Sequence, residues 1–340
     1  MRVTLKDVAK LAGVSAKTVS RVVNDQGEIS DATRDRVLVA IEELGYRPNR
    51  LARSLTTGTT QSVGLIIPDI SEPFFPELIL GAESVARERG YNVFLCNANR
   101  DPELELRYVD LLTERQVDGL MIAGSRLEQE GLKTATQGRS VVILTPYVIP
   151  DALLFSIDDF EGGRQAGEYL VSLGHRRIGF IEGTWSRSAK YRSKGLAGAM
   201  ESAGICSEKL VAGSVSPVCV ESGREEALRV LREHPSLTAL VCYNDVLALG
   251  VLQACAQVGK RVPDDLSVLG FDDIPESSRS APPLTTVHFD RHHIGVAMMT
   301  KLIDVIEGKS DRDERVIIPG RLLVRQSCAP PRLLSSKETR

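Results

Sequence analysis

Basic side chains on one face of a short N-terminal segment are the residues of this sequence most clearly suited to a specific chemical role. After Ser15, three valines at helical spacing point one way, and small or basic residues point the other. The valines are Val19, Val22 and Val23, and the opposite face comprises Ala16, Lys17, Ser20 and Arg21. Lysine and arginine can donate hydrogen bonds to O6 and N7 of guanine in the major groove of DNA. This face therefore predicts a surface that can read base edges.

The charge of the 340-residue chain is unevenly distributed. The net charge is -3, but residues 1–60 contain ten Lys and Arg against seven Asp and Glu, which leaves a net charge of -6 for the remainder. The range 47–60 contains three arginines and no acidic residue. The average charge argues against a chain whose whole surface binds nucleic acid, whereas this cluster is typical of a phosphate-binding element. A solvated linker is the alternative that charge alone leaves open.

Three short helices are predicted to position the basic face. Thr4 can cap a first helix over 5–12 that Gly13 ends, Ser15 can cap a second, and a third begins near Ser30 and Asp31. The third helix is closed by Gly45, and its predicted buried residues are Val37, Leu38, Ile41 and Leu44. Two helices joined by a glycine-containing turn and braced by a third predict a helix-turn-helix, whose second helix can enter the major groove. A small helical protein-binding module is the alternative.

The remainder of the chain alternates apolar strand patterns with helical patterns. The predicted strands are 62–68, 93–96, 119–123, 140–144, 178–181, 239–242 and 266–270. This βαβ alternation predicts an α/β fold, and two parallel sheets are favoured over one very large sheet. Ligands of such folds bind at the carboxyl ends of the strands, and two facing lobes form a binding cleft.

Sequence signatures of catalysis and of metal or cofactor binding are missing. The sequence contains no Gly-x-Gly-x-x-Gly after the first strand, no P-loop, no Gly-x-Ser-x-Gly elbow and no His-Glu-x-x-His. The six cysteines form no Cys-x-x-Cys pair, and structural or solvated roles are favoured for His175, His292 and His293. We therefore expect a chain that is not an enzyme and that carries no metal or cofactor.

The amino-acid sequence of the first fifty residues resembles that of the DNA-binding headpiece of the LacI/GalR repressor family. The matching stretches are Thr4-Leu5-Lys6-Asp7-Val8-Ala9, Ala12-Gly13-Val14-Ser15, Thr18-Val19-Ser20-Arg21-Val22-Val23-Asn24 and Gly45-Tyr46-Arg47-Pro48-Asn49. The resemblance implies that Ala16, Lys17 and Arg21 read bases. Further DNA contacts that it implies are Thr4, Ser15, Thr18, Asn24, Tyr46, Asn49, Arg50, Ala52 and Arg53.

A hinge helix follows the headpiece in this interpretation. Pro48 can open a short helix from Asn49 to Leu55, which is too short to be stable alone in water. The family resemblance implies that it orders on the operator, where Leu55, with Leu51 one turn earlier, inserts between base steps of the minor groove. Packing of the two leucines on the larger domain is the alternative. The stretch 56–61 is predicted to be a flexible connector.

The body resembles the same family through seven short motifs. They are Val63-Gly64-Leu65-Ile66, Pro73-Phe74-Phe75, Val117-Asp118-Gly119, Gly174-His175, Tyr243-Asn244-Asp245, Gly270-Phe271-Asp272 and Pro283-Leu284-Thr285-Thr286. The resemblance implies a fold like that of periplasmic sugar-binding proteins. It implies effector contacts at Phe74, Arg192 and Asp272, with Arg187, Asn244 and Asp245 as further candidates. Alternative roles are a core position for Phe74 and a helix cap for Asp272 or Asp273.

The sequence indicates the fold more clearly than it indicates the chemical class of the effector. Many relatives have an aromatic residue after Gly-Asp near the seventh strand, where this chain has Gly213-Ser214-Val215. A sugar or sugar derivative is the preferred effector. A protein partner, no small effector, or a purine-type corepressor are the alternatives.

The predicted organisation is a two-lobed sensor attached to a headpiece. The ranges are 1–46 for the helix-turn-helix headpiece, 47–60 for the hinge helix and linker, 61–332 for the effector-binding and dimerisation domain, and 333–340 for a tail. Lobe 1 comprises about 62–158 and 290–318, and lobe 2 about 162–287 and 322–332. Two headpieces related by a two-fold axis read a palindromic operator, so a homodimer is expected. Without a signal peptide or a membrane-spanning stretch, we expect a cytoplasmic, nucleoid-associated protein with no membrane partner.

Overall fold

The chain divides into two units. The computed structural model describes residues 3–23, 27–46, 58–150, 152–184, 187–206, 210–311 and 314–332. Contacts separate Met1–Gln61 from Ser62–Arg340. The predicted hinge helix at 49–55 lies outside the described residues.

The N-terminal unit consists of three helices around a small core. They are α1 (Leu5–Ala12), α2 (Ala16–Val23) and α3 (Asp31–Leu44). The core comprises Val8, Ala9, Ala12, Val19, Val22, Val37, Ala40 and Tyr46. Glycines in the left-handed conformation end α1 and α3, with φ of 65° at Gly13 and 59° at Gly45. The three predicted helices and both predicted glycine stops are therefore confirmed.

The buried face of α3 differs from the prediction at one position. Val37 is buried, but the side chain of Leu38 is 49% exposed, and Ala40 is buried in its place. One residue along a helix turns the side chain by about 100°, so Leu38 lies beside the apolar stripe and not within it. A three-helix core of this size accepts only one stripe from α3.

The larger unit contains two sheets, each with six strands among the described residues. The first sheet comprises β1 (Ser62–Ile67), β2 (Asn92–Asn97), β3 (Gly119–Ala123), β4 (Val141–Leu144), β5 (Leu153–Ile157) and β11 (Arg315–Ile318). The second comprises β6 (Ile178–Gly183), β7 (Val211–Val215), β8 (Ala239–Cys242), β9 (Ser267–Asp272), β10 (Thr285–His288) and β12 (Arg321–Leu323). The orders are β11-β5-β4-β3-β1-β2 and β12-β10-β9-β8-β6-β7. Strand pairs are parallel except the antiparallel pair β10 and β12.

Helices flank both sheets and complete two lobes. The helices are α4 (Phe75–Glu88), α5 (Pro102–Glu114), α6 (Gln129–Thr136), α7 (Asp159–Ser172), α8 (Arg187–Ser202), α9 (Val220–Glu233), α10 (Asp245–Gln257), α11 (Pro275–Arg279) and α12 (Arg291–Ile306). The chain crosses between the lobes after β5, β10 and β11. The predicted fold, two lobes built on two parallel sheets, is confirmed. The strands β5, β7, β10, β11 and β12 are not among the predicted strands. A segment of three to five residues shows too little periodicity to be recognised unless it is a continuous apolar run like β8.

Helices α7 and α8 approach each other closely enough to exclude a side chain. A Cβ atom at Gly163 would lie 2.0 Å from the carbonyl oxygen of Arg192, and one at Gly195 would lie 2.0 Å from that of Phe160. Both obstacles are backbone atoms, which cannot rotate away. The two glycines therefore determine the separation of these helices.

We expect Gly163→Ala to lower the free energy of unfolding by about 1–3 kcal/mol, because the added methyl group forces α8 outward. Gly198→Ala is the control on the partner helix α8, since a Cβ atom at Gly198 meets nothing within 4 Å. Alanine there should be neutral or slightly stabilising. The measurement is thermal unfolding of both variants beside the wild type. Equal midpoints for the two variants would contradict this packing account.

Candidate functional site

The exposed face of α2 matches the predicted base-reading surface. Ala16, Lys17 and Arg21 are exposed, whereas Val19 and Val22 are buried. The side-chain oxygen of Ser15 accepts a hydrogen bond from the backbone N–H of Thr18 at 3.1 Å and caps the helix. The basic residues are thus held on a short, capped helix whose opposite face lies in the core.

Two further predicted DNA contacts have roles inside the headpiece. The hydroxyl of Thr4 donates to Oδ2 of Asp7 at 2.7 Å, and this hydrogen bond is the main cause that lowers the pKa of Asp7. Thr4 is nevertheless exposed. Tyr46 is only 9% exposed and belongs to the core. The remaining candidates, Asn24, Asn49, Arg50, Ala52, Arg53 and Leu55, lie outside the described residues.

In the larger unit, Arg192 and Asp272 come together at the carboxyl ends of strands. Arg192 is 3% exposed, and its guanidinium donates from Nε to Oδ1 of Asp159 at 2.8 Å and from Nη2 to Oδ1 of Asp272 at 3.3 Å. Its Nη1 donates to the carbonyl oxygen of Tyr243 at 2.6 Å. The guanidinium carbon lies 4.6 Å from the ring centroid of Phe271. We call Arg192, Asp159 and Asp272 the buried charge group.

Burial and neighbouring charges act in opposite directions on the pKa values of this group. Burial opposes the positive charge of Arg192, but Asp159 and Asp272 together raise its pKa. Burial likewise raises the pKa of Asp272, and the charges of Arg192 and Arg291 oppose that rise. Two carboxyl groups contact one arginine, and the carboxyl oxygens of Asp272 are hydrogen-bond acceptors for a ligand that donates.

Phe74 occupies the core position that the sequence left as its alternative role. It is 8% exposed, belongs to the main apolar core, and meets Phe75 edge to face with ring centroids 5.3 Å apart. Only a small part of its surface is therefore available to a ligand.

Asn244 and Asp245 have structural partners within the second lobe. The side-chain oxygen of Asn244 accepts from the N–H of Leu247 at 3.1 Å and caps α10. Asp245 is fully buried, and its carboxylate accepts hydrogen bonds from three groups. They are the hydroxyls of Ser277 and Thr286, each at 2.6 Å, and the N–H of Ile274 at 3.0 Å. Asp245 therefore joins the start of α10 to the segment after β9 and to β10.

We expect the buried carboxyl of Asp245 to make stability depend on pH. Burial, and next the charge of Asp272, raise its pKa from 3.8 to about 7. The folded chain thus holds this proton more tightly than the unfolded chain, so stability falls as the pH rises from about 4 to about 7, by up to about 1.4 kcal/mol per pH unit. Asp245→Asn should remove that fall while keeping the shape. Denaturant unfolding of both proteins at pH 4.5, 6 and 7.5 measures the difference, and a constant difference across pH would contradict it.

Arg187, a further effector candidate, lies at the mouth between the lobes. It is the exposed first residue of α8 in the second lobe, and its guanidinium carbon lies 4.2 Å from the ring centroid of Tyr147. Tyr147 follows β4 of the first lobe, and its hydroxyl donates to Oε2 of Glu128 at 2.7 Å. Arg187 therefore contacts the opposite lobe rather than the buried charge group.

Several charged residues near the strand ends were not predicted from the sequence as members of the site. Arg291, 3% exposed, donates to Glu77 at 2.8 Å and to the carbonyl oxygen of Asp273 at 3.0 Å, while its buried Nη1 has no hydrogen-bond partner within the described part of the chain. Glu72 follows β1, and burial raises its pKa. Asp159 and Arg126 follow β5 and β3. Their only sequence signal is a charged residue just after a strand, since no motif contains them.

The described residues provide neither a metal cluster nor a membrane span. No group of three or more His, Cys, Asp or Glu within them could hold a metal ion. None of their helices is long and apolar enough to cross a membrane.

Two family models match parts of this chain. The model described as bacterial regulatory proteins, lacI family, matches residues 4–49, and the periplasmic binding protein-like domain matches residues 168–328. The transcriptional repressor PurR of Mannheimia succiniciproducens is 37% identical over 330 residues, which cover 95% of this chain and 98% of that protein. The chain belongs to the lacI family of bacterial regulatory proteins. It is a DNA-binding transcriptional regulator with a periplasmic-binding-protein-like domain.

Other members of the lacI family support this assignment over nearly the full length. The transcriptional regulator DegA of Bacillus subtilis is 37% identical over 337 residues, covering 97% of this chain and 99% of DegA. The structure of the lac repressor dimer bound to operator and the anti-inducer ONPF has a TM-score of 0.87 and 29% identity, covering 97% of this chain and all of that chain. The structure of a complex of the regulator CelR with cellobiose has a TM-score of 0.72 and 32% identity, and the match covers 96% of this chain and all of that chain.

Proposed function

We propose that this regulator represses transcription by binding a palindromic operator as a homodimer, and that a small effector in the cleft between the lobes changes its affinity for DNA. The exposed Lys17 and Arg21 on α2 carry the DNA part of the proposal. Both can donate to O6 and N7 of guanine, while the small side chain of Ala16 allows the helix to approach the base edges.

The effector part rests on the buried charge group. Asp272 offers an acceptor, and the unpaired Nη1 of Arg291 offers a donor next to the second lobe. Donors and acceptors at opposing strand ends suit the vicinal hydroxyls of a sugar or sugar derivative. The solved relative CelR is a complex with cellobiose, which agrees with this class.

A purine-type corepressor is the second candidate, because several relatives are repressors named PurR. A planar base is best held between two ring faces. Phe74 exposes little of its ring, and β7 contains no aromatic residue. These observations favour a non-planar effector.

Exposed apolar residues on the first lobe support the homodimer. They include Leu80 on α4, 62% exposed, and Phe94 on β2, 50% exposed. Exposed apolar side chains favour a partner surface, and a two-fold axis would pair such a surface with itself. The lac repressor relative is a dimer bound to operator.

Catalysis and export are not part of this proposal. The homologues are regulators, and we propose that the effector is bound and released unchanged. Because its proposed target is chromosomal DNA, we place the protein in the cytoplasm.

Two linked measurements test the proposed function. Operator sequences are selected from random DNA with the full-length protein, and a palindromic consensus is expected. A thermal-shift screen of pentoses, hexoses, purine bases, nucleosides and their phosphates then identifies the effector, because a ligand stabilises the state that it binds. The stabilising compound should change the affinity for the selected operator. A selection without any consensus would refute the DNA part, and a screen in which only purines bind would refute the sugar assignment.

A further inference from the structure

One of the contacts between the two lobes is a cation stacked on an aromatic ring. The guanidinium of Arg187, from the second lobe, stacks over the ring of Tyr147, from the first, with Cζ 4.2 Å from the centroid. A cation within about 6 Å of a ring face is attracted by the ring quadrupole. We call this stack the mouth contact.

Hydrogen bonds hold Tyr147 firmly to its own lobe. Its hydroxyl donates to Glu128, and its backbone N–H donates to the hydroxyl of Thr145 at 3.2 Å. Gln129 donates from Nε2 to the carbonyl oxygen of Val148 at 2.8 Å. The loop that carries Tyr147 is thus tied to the start of α6, so the ring moves with the first lobe.

Arg187 belongs to the second lobe. It begins α8, which also carries Arg192 of the buried charge group and packs against α7 through Gly163 and Gly195. A separation of the lobes beyond the reach of the Arg187 side chain would break the mouth contact.

We propose that the mouth contact is a closing device that favours the closed cleft before any effector binds. The proposal rests on the proposed function of the cleft as an effector site. A contact present in one of two states shifts their ratio by its own free energy. For an exposed cation and ring, the shift corresponds to about two- to fivefold in the ratio of closed to open chains. The contact thereby reduces the binding free energy that the effector must supply to complete closure.

The test measures the distance between the lobes in the effector-free protein. Spin labels are introduced as non-canonical amino acids at Glu130 on α6 and Glu221 on α9, both exposed, so that the native cysteines are unchanged. The labelled chain is diluted in unlabelled chain, so that each pair of labels lies in one protomer. Double electron–electron resonance gives the populations of short and long distances.

Single and double variants separate the mouth contact from unrelated effects. Arg187→Ala and Tyr147→Ala should each lower the ratio of closed to open chains about two- to fivefold, and the double variant should lower it no further. Tyr147→Phe keeps the ring face and should preserve most of the closed population. Lys190→Ala removes an exposed positive charge one turn along α8 and is the matched control.

Two outcomes overturn the proposal. One is an unchanged distance distribution in Arg187→Ala and Tyr147→Ala, and the other is additive effects in the double variant. Operator selection and the effector screen are run on the same proteins. If both succeed while the distances are unchanged, the closing device is wrong and the proposed function stands; if both fail, the proposed function itself is wrong.

Discussion

Replacing Arg192 with methionine is expected to abolish the effector's influence on operator binding and to lower the free energy of unfolding by about 3–5 kcal/mol. Arg192 is 3% exposed and lies between two buried carboxylates. Methionine leaves Asp159 and Asp272 next to each other without the opposite charge that offsets their desolvation. It also frees the carbonyl oxygen of Tyr243 from its donor.

The experiment separates the loss of stability from the loss of binding. Asp159→Asn and Asp272→Asn added to Arg192→Met should recover much of the unfolding midpoint, because they remove the uncompensated charges. The effector response should remain absent in this triple variant. Arg164→Met is the matched control on α7, since Arg164 forms ion pairs with Glu161 and Glu168 at the surface. A normal effector response in the triple variant would show that the effector binds elsewhere.

Replacing Arg21 with alanine is expected to remove most of the preference for operator over random DNA. Arg21 is exposed on α2, opposite the buried Val19 and Val22. A bidentate contact to a guanine discriminates against the wrong base by roughly 5- to 150-fold, and a dimer has two such contacts. Affinity for random DNA should fall much less, because one lost positive charge weakens phosphate binding only slightly.

The measurement is a titration of the selected operator and of a shuffled duplex at several salt concentrations. Lys10→Ala, on the exposed side of α1, removes one positive charge outside the base-reading face. That control should lower both affinities by a similar small factor. An equal fall on operator and shuffled DNA in Arg21→Ala would mean that Arg21 binds phosphate and does not read bases.

Local patterns predicted the headpiece well because local interactions form it. The stops at Gly13 and Gly45 and the cap at Ser15 each depend on residues within one turn. The same patterns predicted that Leu38 is buried, and this is wrong because its side chain is exposed. Periodicity does not show which residues at the margin of an apolar helix face are buried in a small core. The DNA contact predicted for Tyr46 stays a prediction, although its ring lies in the core.

In the larger unit, sequence alone determined the class of fold and singled out two members of the buried charge group. Alternating strand and helix patterns specify parallel sheets, and the resemblance to the lacI family marks Arg192 and Asp272 as candidate effector contacts. The partners of these residues were decided only by tertiary structure. Asp159 lies 33 residues from Arg192, and Asp272 lies 80 residues from it. The mouth contact between Arg187 and Tyr147 likewise joins different lobes. A charged side chain shows no periodicity, and its partner is determined by which strand ends the fold brings together.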